Sequence, residues 1–152
     1  MTEDEADPER FSVHAVTAES NGLKLAEMAL RLNASAAIVR NHAALPELEQ
    51  ALEGHPVKVA AGDAALADIA GEDVDLTLSA IVGAAGVAPT AAAVRAGNSI
   101  ALANKECLTC AGPAFMNLVT RHGVDLLPVD SEHNAVFQLL QGHEMAHVGK
   151  IT

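Results

Sequence analysis

Short runs of β-forming residues alternate with Ala- and Leu-rich segments along this chain, and that order implies an open, mainly parallel sheet with helices on both faces, an α/β Rossmann-like architecture. FSVHAVT (11–17) reads as a strand, after which Leu23, Leu25, Ala26, Ala29 and Leu30 mark a helical stripe reaching about Leu32. AAIVR (36–40) is a second strand, followed by a helix with Pro46 in its first turn that stops near Gly54. VKVAAG (57–62), a helix from Asp63 and DLTLSAIVG (75–83) come next. Pro89 opens a helix that ends at Gly97, and SIALAN (99–104) is another buried strand. A longer helix spans about Glu106 to Arg121, with Gly112 and Pro113 breaking or kinking it.

With 152 residues, half of them apolar, the chain is long enough for one domain with a sizeable core. Because Trp and Tyr are absent, that core must be Ala, Val, Leu and Ile. A net charge of −11 without a basic cluster argues against nucleic acid or an anionic membrane as partner. MTEDEADPER lacks the apolar stretch of an export signal, and two cysteines three residues apart make no disulfide framework, so a cytoplasmic location is expected.

In LLPVDSEHNAVFQLL (126–140), Leu126 to Val129 reads as a buried strand, and Val136, Leu139 and Leu140 as the inner stripe of the next helix. Asp130, Ser131 and Glu132 lie between them. An acid at that point serves as helix N-cap and complements the helix dipole. Alternatively, carboxylates at i and i+2 on extended chain point to one side and suit a Mg²⁺ or Mn²⁺ ion at the ligand-binding edge of the sheet.

Three further patterns have bland readings beside sharper ones. Gly83 and Gly86 of VGAAGVAP stand where a dinucleotide could approach backbone, yet a tight strand-to-helix turn also explains them. Cys107 and Cys110 form a C-x-x-C, which reads more simply as two small buried helical residues than as a redox or zinc pair. His143-Glu144-Met145-Ala146-His147 matches the H-E-x-x-H of zinc peptidases, but little room remains for its helix and no third ligand follows.

AIVGAAGVAPTAAAVRAGNSIALANKECLTCAG followed by LLPVDSEHNAVFQLLQG resembles the N-terminal half of the 1-deoxy-D-xylulose 5-phosphate reductoisomerases, with ALANKE and PVDSEHNA the most distinctive words. That family converts 1-deoxyxylulose 5-phosphate to 2-C-methylerythritol 4-phosphate in non-mevalonate isoprenoid biosynthesis, with NADPH and a divalent ion (Mg²⁺, Mn²⁺ or Co²⁺), typically as a homodimer. The resemblance implies that Asp130 and Glu132 bind the metal, that Ser131 and Glu132 contact the phosphosugar, and that Lys105 faces it too, with Lys105 and Glu132 as the catalytic pair. Asn104 and Glu106 would lie against the nicotinamide cofactor, and Glu19, Ser20 and Asn21 would hold its adenosine end.

The departures are equally specific. The family opens with a strand and a G-x-T-G-x-x-G loop before the segment that begins here at Phe11, and it continues with an S-G-G-P-F flap, a phosphate site and a third metal carboxylate after the segment that ends here at Thr152. Cys107 replaces a common Ser. Glu19 stands where Gly is frequent, and its carboxylate should repel a 2′-phosphate unless Ser20, Asn21 or a basic neighbour offsets it. The expected organisation is an acidic tail (1–10), a cofactor-binding part without its first strand (11–128) and the start of a catalytic domain (129–152). The chain is then either an enzyme portion, inactive alone, or a noncatalytic small protein that keeps the fold for binding or assembly.

Overall fold

Among the described residues every strand is short and pairs in parallel, as the alternation requires. The computed structural model describes residues 10–143 and 148–150, which leaves nearly all of the acidic head outside the described residues. Two compact units divide at Glu72 and Asp73, each built on a three-stranded parallel sheet.

In the first unit, β1 (Ala15–Ala18), β2 (Ala36–Val39) and β3 (Lys58–Ala61) pair in that order, with Ala15 opposite Ala36 and Ala36 opposite Lys58. The strand expected over 11–17 is thus shorter and later. Helix α1 (Gly22–Arg31) is capped by Asn21, whose side chain accepts from Lys24 N at 2.9 Å, and α2 (Leu45–Ala51) carries Pro46 near its start. Leu25, Ala26 and Ala29 of α1 and Leu48 of α2 form one core with Ala37 and Val39 of β2. Ile38 points to the opposite face yet is buried, where α3 (Asp63–Ala70) packs on β2 and β3 and buries Leu66. Helices therefore cover both faces, and β2 is buried along its length. The predicted stripe on α1 is too wide: Leu23 and Leu30 are exposed, and the buried face narrows to Gly22, Leu25, Ala26 and Ala29.

In the second unit, β4 (Leu76–Ser79), β5 (Ser99–Leu102) and β6 (Leu126–Pro128) pair in that order. Helix α4 (Val87–Ala96) packs on β4, β5 and the helices that follow, and its chain ends at Gly97 as expected. The expected long helix is two: α5 (Glu106–Thr109) and α6 (Gly112–His122), broken at Gly112-Pro113, since Pro has no N–H to continue the ladder. Ile100 and Leu102 face these helices and are buried, whereas Leu76, Leu78 and Leu127 point the other way and are exposed. For that reason Leu126 to Val129 is not the buried strand its composition suggested: β6 is an edge strand of this sheet, with Leu127 and Val129 exposed. Helix α7 (Ser131–Leu140) packs on β6 but buries no residue fully, and Leu139 is 75% exposed rather than part of an inner stripe. Among the described residues no helix is long and apolar enough to cross a membrane.

Candidate functional site

Parallel strands deliver their following residues to one edge of the sheet, and in the second unit that edge carries the ANKE and DSE segments. The ladder runs one residue past β6, with Val129 N–H donating to Leu102 O at 3.0 Å, so the chains leaving β5 and β6 start side by side.

Asp130 ends the extended segment (φ −69°, ψ 150°) and caps α7, accepting from His133 N at 3.0 Å. Both its oxygens also face His133 Nδ1, at 2.7 and 2.8 Å, so with Asp130 ionised that ring nitrogen carries the proton. Ser131 and Glu132 already belong to the helix. The extended i, i+2 geometry expected for the two carboxylates is therefore replaced by a cap and a first-turn acid. Ser131 Oγ donates to Glu132 Oε2 at 2.8 Å. The Asp130 carboxyl is held below its ordinary range, first by the His133 N–H. Glu132 is also held low, first by the Ser131 hydroxyl, with the Lys105 ammonium adding to it and Asp130 opposing.

Lys105 and Glu132 are exposed, whereas Asn104 is 2% exposed and fully engaged as a structural clasp. Its amide nitrogen donates to Ile81 O and, at 2.9 Å, to Gly83 O, while its oxygen accepts from Cys107 N at 2.9 Å. Asn104 thereby ties the loop after β4 to the first turn of α5. Asn104→Ala leaves two carbonyls and an N–H to find water, and we expect a stability loss of about 3 kcal/mol. Denaturant melts of the purified chain check this, and an unchanged midpoint would refute the clasp.

The same clasp accounts for the two glycines. Gly83 adopts φ 78°, a conformation open to glycine alone in practice, and a Cβ on Gly86 would stand 2.6 Å from Ile81 O and 2.7 Å from Asn104 Nδ2. Cys107 is buried, and burial pushes its thiol up, but Cys110 is exposed because the helix ends beneath it, contrary to the buried pair expected. Both thiols are free. Of the H-E-x-x-H match, residues 144–147 lie outside the described residues. Among the described residues no group of three or more His, Cys, Asp or Glu is placed to hold a metal ion.

In the first unit, Glu19, Ser20 and Asn21 follow β1 and are exposed. Asn21 is occupied as the cap of α1, and Glu19 is paired with Arg40, a residue that sequence reasoning passed over. Only the pairing of β1 with β2 brings those two together.

A family model described as 1-deoxy-D-xylulose 5-phosphate reductoisomerase matches residues 4–112. The 1-deoxy-D-xylulose 5-phosphate reductoisomerase of Jannaschia sp. (strain CCS1) is 49% identical over 144 residues, covering 95% of this chain and 37% of that protein. Among solved structures, the reductoisomerase from Zymomonas mobilis in complex with NADPH superposes with a TM-score of 0.88 at 44% identity, over 92% of this chain and 37% of that one. A DOX-P reductoisomerase in complex with NADPH, fosmidomycin and magnesium gives 0.84 at 38% identity, over 89% and 34%. The chain spans little more than a third of the length of the relatives it matches.

Proposed function

The chain belongs to the 1-deoxy-D-xylulose 5-phosphate reductoisomerase family, and from that premise we propose that it is a portion of an NADPH- and divalent-metal-dependent enzyme converting 1-deoxyxylulose 5-phosphate to 2-C-methylerythritol 4-phosphate. The observation that supports this is the pairing of β5 with β6, from whose adjacent ends the chain leads to Lys105 on one side and to Asp130, Ser131 and Glu132 on the other, with the Lys105 charge favouring ionised Glu132.

Two carboxylates that ionise readily, with hard oxygen donors at a helix start, fit a Mg²⁺ or Mn²⁺ ion as part of a larger ligand set. The His133 ring occupies the same oxygens of Asp130, so an ion and that ring compete for them. When bound, the ion would polarise adjacent substrate oxygens and NADPH would supply hydride. Lys105, exposed on a flexible stem, offers three N–H donors to an anionic phosphosugar. Ser131 fixes the orientation of Glu132 and presents its own oxygen to the substrate, and Glu132 is the second catalytic group. Glu106 faces the nicotinamide side, and Asn104 acts there through the loop it clasps. Glu19, Ser20 and Asn21 take the adenosine end. We assign residues 11–128 to the cofactor part and 129–152 to the start of the catalytic part, within a cytoplasmic enzyme that is a homodimer at full length.

With two carboxylates of a larger ligand set and about a third of the relatives' length, the 152-residue chain is expected to show no reductoisomerase turnover. Metal-dependent oxidation of NADPH by the purified chain on addition of 1-deoxyxylulose 5-phosphate would overturn that expectation.

A further inference from the structure

Glu19, Arg40 and Asp63 follow three adjacent parallel strands and close into one ion cluster at the carboxyl edge of the first sheet. The ladder builds it. Arg40 N–H donates to Ala18 O and Asn41 N–H to Glu19 O, both at 2.8 Å, so paired backbone continues past the strand ends and sets Arg40 beside Glu19. Arg40 Nε donates to Asp63 Oδ1 at 2.5 Å, and Nη1 lies 3.2 and 3.3 Å from the two oxygens of Glu19. Asp63 is itself held by its place in the first turn of α3.

These bonds fix the guanidinium plane from two sides and engage Nε and Nη1. Among the described residues Nη2 donates to nothing, so a planar cation is held rigid with two N–H groups to spare. At the carboxyl edge of a dinucleotide-binding sheet, an acid accepts from a ribose 2′-hydroxyl, whereas an arginine accommodates a 2′-phosphate. Glu19 alone would favour the hydroxyl. Paired to Arg40, its charge is offset and its oxygens are turned to the guanidinium.

Resting on the assignment of residues 19–21 to the adenosine end of the cofactor, we propose that Arg40 is the specificity-determining residue for that end: its Nη2 donates to a ribose 2′-phosphate while Glu19 and Asp63 hold its plane. The cluster as a whole carries one net negative charge, so Glu19 positions Arg40 at some cost to phosphate affinity.

Adenosine 2′,5′-bisphosphate and adenosine 5′-monophosphate differ only in the group at issue. Titrated calorimetrically into the 152-residue chain at low ionic strength, the bisphosphate is expected to bind about tenfold more tightly, the worth of one charge-assisted donor set. Arg40→Ala should erase that preference and leave the monophosphate unchanged, Arg40→Lys should keep part of it, and Glu19→Gln should tighten the bisphosphate alone. Equal binding of the two nucleotides by the unaltered chain, or a preference that survives Arg40→Ala, overturns the role of Arg40 and leaves the adenosine assignment standing. Binding of neither nucleotide overturns both. Should Arg40→Ala fail to fold, Glu19→Gln decides, since an unchanged bisphosphate affinity there also overturns the proposal.

Discussion

Asp130→Asn together with Glu132→Gln, introduced into a full-length reductoisomerase carrying this segment, is expected to lower turnover by more than about a hundredfold while moving the melting temperature by only a few degrees. The two variants separate the capping that Asp130 performs in the structure from the metal-ligand role proposed for it. As a cap, Asp130 needs only an oxygen to accept the His133 N–H at 3.0 Å, and asparagine supplies one about as well. As a ligand to a hard divalent ion it needs the negative charge, which the amide removes. The same holds for Glu132, which caps nothing and is exposed, so its replacement by Gln has little to unfold. Turnover against Mn²⁺ concentration, paired with thermal melts, reads both quantities. Normal turnover at saturating Mn²⁺ with a clearly lowered melting temperature would leave capping as the whole explanation and remove both acids from the ligand set.

A second large effect is expected on stability. Gly86→Ala places a methyl group 2.6 Å from Ile81 O and 2.7 Å from Asn104 Nδ2, two atoms already bonded to each other, so the loop must shift and the clasp must open. We expect a loss of about 3 kcal/mol or more. Gly83→Ala meets no neighbour and suffers only from its positive φ, for a cost of about 1–3 kcal/mol. Because the Gly86 methyl group and the Asn104 amide contend for one space, Gly86→Ala combined with Asn104→Ala should cost less than the two single losses added. Denaturant unfolding of the single and double variants makes the comparison. Strict additivity would mean that the clash is relieved elsewhere, and the close packing of Gly86 on Asn104 would then lose its significance.

These two glycines also mark how far local pattern reaches. VGAAG following a strand raised a dinucleotide loop and a tight turn as alternatives, and the turn suffices: one glycine supplies a backbone conformation and the other supplies room for Asn104. Which of the two does which depends on a residue 18 positions beyond Gly86, and no local pattern carries that.

Strand and helix order, the parallel pairing, the break at Gly112-Pro113 and the family were determined by the sequence itself, because each rests on neighbours along the chain or on words as specific as ALANKE and PVDSEHNA. Burial was legible only in part. SIALAN (99–104) reads as a buried strand, and Ile100, Ala101 and Leu102 are buried, since β5 has a partner strand on each side. Leu126 to Val129 reads the same way and is not, since β6 lies at an edge of a sheet covered on one face. Tertiary structure alone decided that difference, the burial of Asn104, the exposure of Leu23, Leu30 and Leu139, and the meeting of Glu19 with Arg40 and Asp63. The reason is common to all of them: burial and ion pairing are set by which elements become neighbours in space, and in parallel sheets those neighbours are always separated by a crossover in sequence.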